Sequence, residues 1–307
     1  MLTGIIILNY NSNEDLYLCV ESIQKNISAK YKLYIVDNNS SQDNKDGLKK
    51  RYEKNQFVEL IFLNENVGYS GGNNVGVRRA VRDKVDYVLI MNPDIIVKND
   101  IIKEFAGAIS DEYPCVGPKI IDADGGDGQR IRRNYNFKYA LFSKKPFYYL
   151  RDLFDADSRY KYNTDRCFGF VGSLSGCCFF ITAKVFWDVD FFDDNVFLYC
   201  EEYILGCKLE RLGYKCKYVP SAVIYHKEGT STRKISNSFV DYHMYASEYY
   251  LVSRYCGCNR IEKFVISVLR LGNYWLKNVI KYKDWERMKG LYKTFRRIDH
   301  KRYKILF

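Results

Sequence analysis

Four acidic or imidazole side chains in this sequence sit where their type and setting suit chemistry. Asp94 stands in Met91-Asn92-Pro93-Asp94, directly after an apolar run. A carboxylate at the rigid end of a buried strand, with a proline restricting the backbone before it, suits a hard cation bridging two phosphates. It equally suits a cap for a helix starting near Asp100. Glu201 and Glu202 lie inside the otherwise apolar stretch Phe197–Leu205. At a helix start a carboxylate gains from the helix dipole as an anion, and partial burial raises its proton affinity toward what a general base needs. The plain alternative for such a pair is an ordinary solvated helix start. His226, one of three histidines, follows the strand-like run Tyr218–Tyr225, where it could bind a metal or simply pack. Around it, Lys227, Ser231, Thr232, Arg233 and Lys234 supply cations and hydroxyls suited to a diphosphate. The Gly68–Gly76 segment is a weaker signal, since it matches neither G-x-G-x-x-G nor a phosphate-binding P-loop.

The elements that must position these residues alternate along the chain. Ile5–Leu8, Leu33–Val36, Leu60–Leu63 and Val85–Met91 read as short buried strands. Between them, Asn11-Ser12-Asn13 offers caps for a helix carrying Leu16, Cys19, Val20 and Ile23, and a Gly/Asn-rich loop leads to a helix beginning near Asn74. Strand and helix in this alternation predict an α/β fold with a mostly parallel sheet flanked by helices. In such sheets ligands bind beyond the carboxyl ends of the strands, where the polar clusters at 9–13, 37–41, 64–74 and 92–94 all fall. After Glu202, the spacing of Leu205, Leu209 and Leu212 predicts one helical face closed by Gly213. Residues 122–170 carry a weaker pattern, with a helix suggested near Phe147–Phe154. From about residue 236 the pattern is helical to the end.

Charge divides the chain in two. The net charge is +11, and residues 233–307 hold 17 basic against 6 acidic side chains, while residues 1–232 hold 31 of each. The basic character therefore belongs to the tail, which implies an anionic partner there. The ten cysteines include no C-x-x-C pair, and most sit singly in apolar runs, as small buried hydrophobes do. That usage, with a strand rather than a signal segment at the start, predicts a reduced, cytoplasmic setting. No apolar run reaches the roughly 18 residues needed to span a bilayer.

Taken in order, the segments resemble the inverting glycosyltransferase family 2, in its branch of rhamnosyl-, galactofuranosyl- and capsular-polysaccharide transferases. The matching pieces include Leu8-Asn9-Tyr10-Asn11, Val36-Asp37-Asn38-Asn39-Ser40, Asn64–Gly68, Gly71–Asn74 and Met91–Asp94. Gly117-Pro118-Lys119, Ser175-Gly176, Phe197–Leu209, Gly213-Tyr214 and Val219–His226 continue the series, so that the likeness spans about residues 3–235. The resemblance implies a GT-A nucleotide-sugar-binding domain over 1–235, with 236–307 as a basic helical extension. It implies that Tyr10 flanks the base, Asp37 bonds its imide edge, and Asn39, Asn66, Gly72, Asn73 and Asn92 line the nucleotide. Asp94 would hold the divalent ion (Mn²⁺ or Mg²⁺) with His226 completing the site, Asn92 standing where the family's first acid usually is. The acid pair would carry the general base, with Glu202 at the position usually filled by Asp. The choice between Glu201 and Glu202 stays open.

The function so implied is inverting, metal-dependent transfer from a dTDP- or UDP-sugar of rhamnose or galactose type. The acceptor would be a glycan or polyprenyl-linked glycan in bacterial surface polysaccharide synthesis, with no nucleic-acid partner. Sugar nucleotidyl transfer, or non-catalytic binding of glycan or nucleic acid through the tail, are the competing readings. Within the tail, Ile261, Phe264, Val265, Val268, Leu269, Leu271, Leu276 and Val279 form an apolar stripe, edged by Lys263, Arg270 and Lys277 every seven residues. Such a helix suits peripheral docking on an anionic membrane face, or else packing of the stripe against the catalytic domain.

Overall fold

The computed structural model describes residues 1–123, 125–126, 133–154, 170–227 and 236–299. Ser231–Lys234, and with them the expected boundary at 235, lie outside the described residues, as does the end of the tail from 300.

The four strands expected from the N-terminal apolar runs form β1 (Thr3–Asn9), β2 (Tyr31–Asp37), β3 (Val58–Phe62) and β4 (Tyr87–Met91). They pair in parallel in the order β3-β2-β1-β4. The near-total burial of β1 and β4 explains their unbroken apolar sequences: helices cover both faces. On one face, α1 (Asn13–Asn26) and α4 (Ile101–Ala108) bury Leu16, Ile23, Ile101 and Phe105 against Ile5, Ile7 and Leu89. On the other, α3 (Gly68–Arg82) packs Val77 and Ala80 against Ile6 and Ile90.

Beyond β4 the sheet changes character. It continues through β8 (Cys178–Thr182), β6 (Cys115–Ile121), β9 (Cys216–His226) and β5 (Ile95–Val97), with β7 (Phe170–Val171) also on β9. Here only β6 and β9 pair in parallel, and the β4–β8, β6–β8, β5–β9 and β7–β9 pairs are antiparallel. The antiparallel β5–β9 pair sets Ile95 opposite His226 and so brings the residue after Asp94 beside the histidine.

Three expectations change. The helix expected from Asn74 begins at Gly68, so the glycine-rich segment is helix and not loop. Its glycines are a packing requirement: a side chain at Gly72 would collide with Leu8. The helix suggested near 147–154 is one 3₁₀ turn, Phe147–Leu150. Leu212 is 52 % exposed just past α7 (Glu201–Arg211), so the inward face comprises Leu205 and Leu209 without it.

The tail forms α8 (Asn237–Arg254), α9 (Arg260–Tyr274), a π turn at Trp275–Val279 leading into the short α10 (Ile280–Tyr282), and α11 (Trp285–Asp299). It shares a core with the preceding part of the chain, where Tyr249, Leu251 and Ile266 pack with Ile204 and Cys207 of α7 and with Tyr139 and Ala140 of α5 (Phe137–Phe142). Arg270, expected on a solvated basic edge, is fully buried. It pairs with Glu248 and donates to the carbonyl of Ala140 and the hydroxyl of Ser143. A buried guanidinium is tolerable only with its charge matched, as Glu248 does here through Nε and Nη2, while Nη1 is buried without a partner.

Candidate active site

The carboxyl ends of β1 and β4, the turn after β2 and the start of α7 open onto one cavity of about 500 Å³. Tyr10, Asn66, Asn92, Asp94, Glu201, Glu202 and His226 line it together. Asp37, Asn39, Gly72 and Asn73 do not. Asp37 is buried beneath the site, where its carboxylate accepts from the Asn9 amide at 3.1 Å and the Ser40 N–H at 2.9 Å. Asn39 is exposed in a left-handed conformation (φ 63°) and accepts from Lys45. Asn73 is buried in α3, donating to the Tyr69 carbonyl one turn back.

Asn38, passed over in the sequence, is the member of that triplet that reaches the cavity. Its amide donates to Asn66 at 2.9 Å and to the Gly68 carbonyl, and its oxygen accepts from the Val67 N–H. These bonds tie the β2 turn to the start of α3. Gly68 has φ +77° and lies so close to Phe197 that a side chain would collide with that ring and carbonyl. Gly68→Ala should therefore cost roughly 1–3 kcal/mol of stability and weaken donor binding, through strain and overpacking. Thermal melts and donor titration check it, and unchanged values for both would show that Phe197 yields freely.

The Asp94 alternatives separate cleanly. Asp100, not Asp94, caps α4, accepting from the Lys103 N–H. Asp94 instead faces His226, Oδ1 to Nε2 at 3.3 Å, with both side chains mostly buried. Burial works against the charged imidazole, but hydrogen bonds to Asp94 and Cys177 outweigh it and push His226 up to about 10. A cation entering this pair would have to displace that proton. Among the described residues no three His, Cys, Asp or Glu side chains converge as a closed metal cage. A carboxylate and an imidazole at a cavity wall would still suit a divalent ion that also meets substrate phosphate. Lys227, beside His226, pairs with Asp15 at 2.9 Å, so its charge is already matched.

The acid pair enters the cavity from a constrained backbone. Tyr199 (φ 72°) and Cys200 (φ 65°) are consecutive left-handed non-glycine residues immediately before α7. Such conformations cost of order 1 kcal/mol or more each and persist only where surrounding contacts impose them. Here Tyr69 N–H bonds the Phe197 carbonyl and Ser247 bonds that of Leu198. Phe197, Tyr199 and Phe239 form an aromatic wall in the same cavity, and Phe197 rests on His243. Burial, aided by the charge of Arg287, lowers His243 to about 4 and keeps this support neutral. Burial and the adjacent Glu202 charge raise Glu201 to about 8, and its Oε2 is buried without a hydrogen-bond partner. Neither the aromatic wall nor this difference between the two acids has a short-range sequence signature.

An α/β enzyme with its site in a cavity at the strand ends is the class that this sheet, with its two acidic stations, defines. Residues 4–190 match the family model described as glycosyl transferase family 2, well over half of the chain. The chain belongs to that family. It is 28 % identical over 201 residues to the low-salt glycan biosynthesis hexosyltransferase Agl10 of Haloferax volcanii, covering 65 % of this chain and 58 % of that protein. It is 24 % identical to the N-acetylglucosaminyl-diphospho-decaprenol L-rhamnosyltransferase of Mycobacterium tuberculosis (82 % and 85 % covered). To the rhamnosyltransferase WbbL of Escherichia coli it is 22 % identical (83 % and 95 %). Among solved structures, S. aureus TarS in complex with UDP-GlcNAc superposes with TM-score 0.58 at 15 % identity, covering 97 % of this chain and 81 % of that one. GalNAc-T7 with UDP, GalNAc and Mn²⁺ does so with TM-score 0.58 at 16 % identity, covering 97 % and 55 %. These likenesses establish the GT-A fold.

Proposed function

We propose that this chain transfers a hexose, of rhamnose or galactose type, from a dTDP- or UDP-sugar to a lipid-linked glycan, with inversion at the anomeric carbon. The observation that carries this reading is the presence of the Asp94–His226 pair and the Glu201–Glu202 pair in one cavity with Tyr10, Asn66 and Asn92. One named relative is a glycan-biosynthesis hexosyltransferase and another an N-acetylglucosaminyl-diphospho-decaprenol rhamnosyltransferase, and this supports a lipid-linked acceptor here.

In this scheme Tyr10, 44 % exposed at the cavity edge, offers its ring to the base, while Asn38, Asn66 and Asn92 offer amide groups to the nucleotide. Asp94 and His226 hold a divalent ion, with Mn²⁺ favoured because one donor is an imidazole. When bound, the ion stabilises the charge that grows on the departing diphosphate. Glu202 accepts the acceptor hydroxyl's proton as that oxygen attacks the anomeric carbon from the face opposite the diphosphate. A single displacement inverts the configuration without a covalent intermediate. Glu201 retains the spare proton of the pair. Charge repulsion from an ionised Glu202 is itself one of the two causes that raise Glu201, and a buried oxygen without a partner is less costly on a neutral carboxyl than on a carboxylate.

The test is a panel of dTDP-, UDP- and GDP-sugars, assayed for metal-dependent donor hydrolysis and for transfer to a polyprenyl-diphosphate acceptor. Mn²⁺-dependent turnover of a pyrimidine nucleotide sugar is expected. Release of pyrophosphate from a nucleoside triphosphate and a sugar phosphate would instead make the chain a nucleotidyltransferase.

A further inference from the structure

The helix α9 turns an apolar face to solvent. On α9, Ile261, Phe264 and Val268 are 75, 67 and 50 % exposed, while the opposite side carries buried Ile266, Arg270 and Tyr274. The face runs on past the end of α9 into Trp275, Leu276 and Ile280, which are 42 to 59 % exposed. Of the twenty large hydrophobic side chains exposed among the described residues, nine lie in 261–292 and five more in 148–154. The two segments adjoin, because Asn273 donates to the Lys145 carbonyl at 2.8 Å. Exposed apolar clustering of this extent marks an interaction surface.

We propose that this face of α9, with the Trp275–Trp285 segment, seats the enzyme on a bilayer containing anionic lipid. The inference deepens the reading of a lipid-linked acceptor and rests on it. Two observations select a bilayer as the occupant. In Trp275–Trp285 exposed aromatic and aliphatic residues interleave with exposed Lys277, Lys281 and Lys283, the composition of a segment lying in the headgroup region. The net +11 of the chain belongs to the part from 233 onward, which complements an anionic surface and opposes self-association of two such faces. The segment is also anchored to the helix that bounds the cavity. Tyr274 donates to the Ser238 carbonyl at 3.3 Å and Lys277 pairs with Asp241 at 2.9 Å, and between them Phe239 stands in the cavity wall. The docking segment and the cavity wall therefore share α8 as a common support. The sequence placed Arg270 at the basic edge of this docking helix; its burial leaves the apolar face and the lysines after it to make the contact.

The full chain should bind phosphatidylcholine vesicles doped with phosphatidylglycerol and bind pure phosphatidylcholine at least ~10-fold more weakly. Phe264→Glu with Val268→Glu should weaken binding by ~10-fold or more, with donor hydrolysis unchanged, since neither residue lines the cavity. Brominated lipid should quench Trp275 and Trp285 but not Trp187, read out with single-tryptophan variants. Equal binding by the doubly substituted chain, no binding at all, or equal binding to neutral vesicles would overturn the proposal. So would a dimer in solution that the same double substitution dissociates, because the face would then be a protein interface. Vesicle binding requires no turnover. A chain that docks but transfers nothing sinks only the functional reading, and one that transfers but ignores vesicles sinks only this one.

Discussion

Asp94→Ala should reduce transfer at least ~10³-fold while leaving the protein folded, because stabilisation of the leaving diphosphate by a divalent ion amounts to several kcal/mol and each 1.4 kcal/mol is a factor of about ten. The fold survives, with a lowered melting temperature from the lost ion pair to His226, because the backbone contact at Asp94 is kept. Its carbonyl accepts from the Lys227 N–H at 3.2 Å, which alanine preserves, and it caps no helix. The loss should be specific in kind. Without the carboxylate, His226 forfeits one of the two partners that raise it and remains as a single weak donor, so excess Mn²⁺ should restore only a small part of the activity. Donor turnover across a Mn²⁺ titration, with thermal melts on the same samples, measures both halves. Near-normal turnover in Asp94→Ala would remove this residue from the metal site.

The parallel half of the sheet was legible in the sequence because strands buried on both faces are written as unbroken apolar runs, and β1, β2 and β4 are of that kind. What escaped reading was decided by packing across long sequence separations. Gly68–Asn74 has the composition of a loop, yet it is helix, because closeness to Leu8 and Phe197 demands glycine there. In Asp37-Asn38-Asn39, adjacent polar residues point in different directions. The sequence shows that the triplet is polar, but not that Asp37 turns inward to Asn9 and Ser40 while Asn38 reaches the cavity. The tail misleads in the opposite sense. Heptad spacing put Arg270 beside Lys263 and Lys277 on one edge, whereas the buried Glu248, on a different helix, draws Arg270 inward. Helical periodicity identifies a face and leaves open what that face meets.

The acid pair separates two roles that the sequence could not assign. Glu202→Gln should keep donor binding and lower transfer by ~10²–10⁴, the range for loss of a general base. Glu201→Gln should stay within about tenfold of the parent, because a neutral amide reproduces the protonated state proposed for that residue at neutral pH. The pH dependence follows from the same assignment. Glu201 is raised to about 8 by burial first and the Glu202 charge second, so above pH 8 a second negative charge appears beside the site of the diphosphate. Activity of the parent should therefore fall as pH rises through about 8, and Glu201→Gln should remove that decline. Stability has a matching sign. A carboxyl whose folded-state pKa lies above its unfolded value contributes most below the ordinary carboxylate range, and that contribution is lost as pH rises through about 8. Glu201→Gln should accordingly flatten the fall in melting temperature between the ordinary carboxylate range and about pH 8, an effect that removal of a solvated carboxylate would not produce. Rate profiles between pH 6 and 9 and melts between pH 4 and 9 on the parent and both variants decide the matter. If activity instead rises through pH 8 and Glu201→Gln is inactive while Glu202→Gln is not, the proton passes to Glu201. The strained turn at Tyr199 and Cys200 would then hold that residue, and not its neighbour, against the acceptor.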